Sequence, residues 1–124
     1  MWSDGGMIDS TSALVDLVAA LDRREVSARE LLDHHLDRVE RLAGATNSVI
    51  TIEPERARAE AVVVDDARAA SRPVGQLAGV PVTIKDAIAT AGIRSTGGAT
   101  ELRDHEPDED AVAVAAIRSA GAVV

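Results

Sequence analysis

The segment Gly79-Val80-Pro81-Val82-Thr83-Ile84-Lys85-Asp86 constrains this chain more than any other stretch. Gly and Pro open it, and the β-branched residues that follow show no helical period. Such a run reads as a buried strand that carries one ammonium group from the core to the strand's end. Helical patterns flank it on both sides, so the order of elements predicts an α/β architecture. The ammonium belongs to the single lysine of the chain, and the other twelve fixed positive charges are arginines. A buried lysine can give up its proton and an arginine cannot. Residue chemistry leaves two readings of Lys85 open: a strand-end side chain that pairs with Asp86 or reaches solvent, and a catalytic amine.

Composition narrows the partners. With 124 residues, 46% of them hydrophobic, the chain can bury one modest core, and nothing suggests two domains. Trp2 is the lone aromatic, so that core is built from Ala, Val, Leu and Ile. A net charge of -8 with no basic cluster, and no aromatic to stack on a base, argues against nucleic acid and offers no polybasic patch to a membrane. The absence of cysteine excludes disulfides, thiolate metal sites and cysteine catalysis, and it fits a reducing cytosol. No apolar run reaches the length of a membrane span, and the first residues lack the regions of a signal peptide. A cytoplasmic protein is the expectation. Residues 1–10, aperiodic around Gly5-Gly6, are expected to be a disordered lead, and residues 11–124 the folded part.

Two amphipathic helices come first. Ser12 is placed to cap a helix whose Leu14, Leu17, Val18 and Leu21 share one face. Val26-Ser27-Ala28-Arg29-Glu30-Leu31 combines a capping box, Ser27 with Glu30, and a hydrophobic staple, Val26 with Leu31. The inward stripe of that second helix is Leu32, His35, Leu36, Val39 and Leu42, and Gly44 suits the left-handed position after its end. Val49, Ile50 and Ile52 predict a strand over Ser48 to Glu53. Pro54 then suits the first position of a third helix, Glu55 to about Ala70, which Ser71-Arg72-Pro73 stops. Beyond Lys85 the chain turns at Gly92 and crosses Ser95-Thr96-Gly97-Gly98-Ala99-Thr100, whose small side chains let a substrate or another backbone approach closely. Asp108 is placed to cap a last helix, Glu109 to Ala120, and Gly121 ends it. Ala122-Val123-Val124 reads as the start of a strand with an unpaired edge, so the fold looks interrupted.

The other constellations carry less. Asp104, Glu106, Asp108 and Asp110 alternate as in a calcium loop, but Glu109 and Ala115 hold the positions where such a loop needs Gly and Glu, so the segment is read as solvated. His34 and His35 point to adjacent helix faces and cannot share a metal within one turn. His35 is expected to be partly buried and His34 to pair with Glu30 or Arg38. Gly97-Gly98 lacks the lysine spacing and the third glycine of a phosphate loop. No serine stands in a Gly-x-Ser-x-Gly elbow, and no Ser, His and Asp are set out as a triad. Neither a metal nor an organic cofactor is expected.

The stretch Gln76-Leu77-Ala78-Gly79-Val80-Pro81-Val82-Thr83-Ile84-Lys85-Asp86 resembles the lysine segment of the amidase signature family, in which Leu-x-Gly-x-Pro, a few β-formers and Lys-Asp recur. The similarity extends along nearly the whole chain. Leu17 to Leu32 resembles the family's N-terminal helical pair, Asn47 to Ile52 its first strand, Ala91 to Gly98 the turn after the lysine, and Pro107 to Val124 the following helix and strand. The resemblance implies the N-terminal part of an amidase-signature fold, a mixed sheet flanked by helices. It also implies hydrolysis of a small carboxamide by a triad of lysine, bridging serine and nucleophilic serine. Lys85 matches the lysine, and its neutral amine would accept a proton through the bridging serine. Asp86 would support the site by orienting the loop. The family's Gly-Ser-rich loop and both serines lie downstream of these residues, so the chain is expected to be truncated and inactive alone. The alternative is a non-catalytic remnant or interaction module that self-associates or docks through its open sheet edge.

Overall fold

The computed structural model describes residues 8, 9 and 11–124. Most of the expected lead, residues 1–7 and 10, lies outside the described residues. Ile8 packs half-buried against the core.

Helix α1 spans Leu14–Asp22 and buries Leu17, Ala20 and Leu21. Ser12 does not cap it. Its hydroxyl instead accepts the amide of Asp9 at 2.8 Å, closing a local turn, and Ala13 takes the cap position without a side-chain bond. With the helix starting one residue later, Leu14 is left half exposed in the first turn.

Helix α2, Ala28–Thr46, begins as the sequence predicts. The Ser27 hydroxyl accepts the Glu30 amide at 3.1 Å, and the Glu30 carboxylate accepts the Ser27 amide at 2.9 Å. Two of the amides that a helix start leaves unpaired are thereby satisfied. Val26 and Leu31, the two halves of the staple, are both buried. The helix ends later than predicted, running through Gly44 to Asn47, whose φ of 44° supplies the left-handed cap. Asn tolerates that region because its short polar side chain can bond locally.

Helix α3, Pro54–Ala69, starts on proline as expected. It presents Ala57 and Ala61, both buried, toward α2. Small side chains allow the two helices to approach closely, and Arg58 reaches across to Asp33 at 2.9 Å. The last helix, α4, is shorter than expected: Val112–Ser119, entered through Ala111 without a side-chain cap. Asp108 stays exposed, because the next turn is held by Asp110. One carboxylate oxygen of Asp110 accepts the amide of Ala91 at 2.7 Å and the other pairs with Arg118 at 3.1 Å.

The expected mixed sheet is not seen among the described residues. Among the described residues there is no strand, and its place is taken by one parallel bridge, Pro81 with Val123. The register around that bridge is regular: Gly79 donates to Gly121 at 2.9 Å, Val123 to Val80 at 2.9 Å and Val82 to Val123 at 2.8 Å. Pro81 has no N–H to extend the ladder. Beyond it, the amides of Thr83, Ile84 and Lys85 find no backbone partner among the described residues. Residues 48–53 likewise form neither helix nor strand, and Ile50 and Ile52 stay exposed. Two segments with strand composition are present, but the neighbours that would turn them into a sheet are not among these residues.

The parallel register is anchored from α3. Glu60 accepts the amide of Val124 at 3.2 Å through one oxygen and Arg118 at 2.9 Å through the other. Val123 is buried under this clamp, against Val80 and the α1–α2 core.

Candidate functional site

A groove of about 920 Å³ opens beside the Pro81–Val123 bridge. Leu36, Val39 and Leu42 of α2 form one wall, and Ile50, Val82 and Ile84 contribute to the other. Its position follows from the unformed sheet, since the apolar sides of residues 48–53 and 82–84 face it with nothing laid across them. The predicted inward stripe of α2 therefore divides. Leu32 is buried in the core, His35, Leu36 and Val39 are half-buried, and Leu42 is exposed at the far end of the groove.

Lys85 lies on the lining of this groove and is exposed. The sequence predicted an ammonium group carried up from the core. It reaches solvent, one of the outcomes the sequence left open, and the segment that delivers it has no sheet neighbour past Val82 among the described residues. The pairing of Lys85 with Asp86 does not occur: among the described residues, no carboxylate lies in ion-pair range of Lys85.

Asp86 turns its carboxylate the other way. One oxygen accepts the amide of Thr96 at 3.0 Å, and the other accepts the Thr96 hydroxyl. The hydroxyl and amide of Thr96 hold the Asp86 carboxyl below the ordinary aspartate range, since both bonds favour the charged form and outweigh its partial desolvation. The Asp86 carbonyl accepts the amide of Gly97 at 3.1 Å, and the Lys85 carbonyl accepts that of Ile88 at 2.8 Å. Two tight turns, residues 85–88 and 95–98, are thus joined through one carboxylate. Gly97 and Gly98 have φ of 58° and 77°, which the second turn requires.

Thr96 escaped the sequence reading except as one of several small residues. So did Arg94, which donates to the Ile50 carbonyl at 3.1 Å and holds the 48–53 segment against the turn. The signal for Thr96 was a hydroxyl beside two glycines, and its partner ten residues away became visible only in three dimensions.

The remaining candidates stay apart from the groove chemistry. Asp104, Glu106, Asp108 and Glu109 are exposed. No cluster of three or more metal-ligating side chains is assembled among the described residues. His35 Nδ1 bonds to the Leu31 carbonyl at 2.9 Å within α2, half-buried as predicted. Of the two partners expected for His34, Glu30 or Arg38, the Glu30 carboxylate accepts from Ser27. No helix among the described residues is long and apolar enough to cross a membrane.

Known proteins share both this sequence and this fold. The chain is 42% identical over 111 residues to a glutamyl-tRNA(Gln) amidotransferase subunit of Methylococcus capsulatus, a match covering 90% of this chain and 23% of the relative. It is 38% identical over 112 residues to the corresponding subunit of Synechococcus sp. (strain WH7803), with the same coverage of each. The native peptide amidase of Stenotrophomonas maltophilia superposes with a TM-score of 0.85 at 32% identity, over 93% of this chain and 24% of the enzyme. The chain thus spans about a quarter of the length of the relatives it matches. Such neighbours make the architecture an α/β fold of amidase type, of which these residues form one part. The sequence model of the Amidase family matches residues 30–124, which include the groove, Lys85 and Thr96, and the chain belongs to that family.

Proposed function

We propose that these residues are the N-terminal part of an amidase that hydrolyses a carboxamide C–N bond by a Ser-Ser-Lys mechanism, and that they supply its lysine. The observation that carries this reading is the placement of Lys85. The sole lysine of the chain stands on the lining of the groove, within the region that matches the family, with its carbonyl held by Ile88 and its amine committed to no carboxylate among the described residues.

In this mechanism the neutral Lys85 amine takes a proton from a bridging serine. That serine takes one from a nucleophilic serine, whose oxygen attacks the amide carbonyl carbon. The tetrahedral oxyanion is stabilised by backbone N–H groups of the serine loop. The leaving amine departs with the proton returned along the same path, and water then hydrolyses the acyl-enzyme. In this reading the bridging serine and the nucleophilic serine of the Gly-Ser-rich loop both lie downstream of these residues. A base at Lys85 needs the neutral amine, the form that desolvation favours. Whatever polypeptide covers the groove supplies both the serines and that desolvation. Alone, the chain is inactive.

The unpaired amides of Thr83 to Lys85 and the uncovered apolar groove also favour a second reading, a docking module that receives a strand along this edge without catalysis. One experiment separates the two. The chain is assayed for amide hydrolysis alone and together with the remaining three-quarters of an amidase-length polypeptide. Turnover in the combination, lost in Lys85→Ala, supports the hydrolase. Turnover that persists in Lys85→Ala overturns the role of the lysine, and a bound but inactive pair selects the docking module.

A further inference from the structure

We infer that Thr96 is a positioning residue for Lys85, acting through Asp86. The inference rests on the reading of Lys85 as the base. Lys85 makes no side-chain hydrogen bond or ion pair among the described residues, so only its backbone anchors the direction in which the side chain leaves the chain. That backbone is held in two places. The Lys85 carbonyl is tied to the Ile88 amide, and the next residue, Asp86, is tied by its carboxylate and its carbonyl to Thr96 and Gly97.

Thr96 is the hub of the second tie. It is 9% exposed, in a turn whose neighbouring Ser95 lines the groove. Its amide donates to one Asp86 oxygen and its hydroxyl to the other, while the same hydroxyl accepts the amide of Gly98 at 3.0 Å. The hydroxyl therefore uses its single proton on the carboxylate and a lone pair on the turn, so its orientation is determined. A charged acceptor satisfied from two directions by one residue has little freedom to swing, and charge-assisted bonds are the stronger class. Asp86 is in this way kept from turning back on Lys85. Were it to do so, the carboxylate would favour the charged ammonium over the neutral amine that a base needs. Thr96 thus has two effects with one hydroxyl: it sets the backbone direction at residue 85 and withdraws the neighbouring carboxylate from the amine.

The test compares Thr96→Val, which keeps the shape and removes the hydroxyl, with Thr96→Ser, which keeps the hydroxyl, in the full 124-residue chain. Amide hydrogen exchange is read at Ile88, Gly97 and Gly98, with isotope-labelled lysine giving one side-chain signal for Lys85. In Thr96→Val, exchange at these amides rises about tenfold above that of α2, as expected for the loss of one charge-assisted bond. The lysine signal shifts toward that of a carboxylate-paired ammonium, and Thr96→Ser restores both. In the active combination with the complementing polypeptide, Thr96→Val lowers kcat with KM little changed. Asp86→Asn is the second variant: if Thr96 acts through Asp86, the double variant is no worse than either single one.

Unchanged exchange and an unchanged lysine signal in Thr96→Val overturn the inference, as does failure of serine to rescue or full additivity of the two changes. Should Thr96→Val not fold, Thr96→Ser and Asp86→Asn decide it on the same readouts. The exchange measurement does not involve the amine of Lys85. A failure of the base reading, seen as turnover in Lys85→Ala, therefore remains distinguishable from a failure of Thr96 to hold Asp86.

Discussion

The Asp65 carboxylate of α3 accepts the backbone amides of both Ala28, at 2.8 Å, and Arg29, at 3.0 Å, so a side chain from one helix caps the start of another. Together with Ser27 and Glu30, it satisfies most of the amides that the first turn of α2 leaves unpaired. A negative charge at that end also complements the helix dipole. The contact sets the depth at which α3 meets α2, and with it the approach of Ala57 and Ala61 to the core.

Replacing Asp65 with alanine should therefore destabilise the chain by about 1–3 kcal/mol, because partly buried amides lose a charged acceptor. Urea unfolding read by circular dichroism measures this. Asp65→Asn keeps one acceptor oxygen and should cost less. Equal losses in the two variants would show that the charge, and not the cap geometry, carries the effect.

Ser27→Ala removes one half of the capping box and should cost about 1 kcal/mol. The loss should be smaller where Asp65 has already been removed, since the two caps serve the same frayed turn. A double-mutant cycle in urea that gave strict additivity would contradict this coupling.

Gly79 combines a φ of 83° with a position where an added Cβ would stand 2.6 Å from the Cβ of Ala28. Gly79→Ala is strained on both counts, and the start of α2 cannot retreat because Asp65 holds it. A loss of about 2 kcal/mol or more is expected, from backbone strain and overpacking together. Gly44→Ala is the control: it sits inside α2 with open space around it and should stabilise the helix by up to about 1 kcal/mol.

The bonds from Thr96 lower the Asp86 carboxyl below its unfolded value. A depressed carboxylate contributes stability that is present in full above the unfolded pKa and is lost as pH falls through the folded one. Acidification below about pH 4 should thus release the 95–98 turn, visible as faster exchange at Gly97 and Gly98. Asp33 follows the same sign: burial raises its carboxyl, but the bonds from Arg29 and Arg58 outweigh that and lower it. In Asp86→Asn the acid-dependent step at Gly97 should disappear while the Asp33 contribution remains. Persistence of the step would assign it elsewhere.

The sequence by itself determined the helical half of the protein. Capping residues, a proline at a helix start and apolar residues at helical spacing act within a few positions of one another, so Ser27, Glu30, Pro54 and the buried Leu17, Leu21 and Leu31 were legible without coordinates. The Lys-Asp segment was legible for the same reason, as a short pattern that a family shares. Tertiary structure decided the rest, wherever a partner is distant in the chain. A strand is a relation between segments, and Val82 to Ile84 and residues 48–53 have strand composition but no strand partner among the described residues, so they line a groove instead. Lys85 is exposed for that reason, and Asp110, not Asp108, anchors the entry to α4 because Ala91 and Arg118 converge on it. Thr96 reached its role only when the turn at Gly97 folded back on Asp86, because a hydroxyl's chemistry is set by the charge it meets, and no local pattern in the chain announces that meeting.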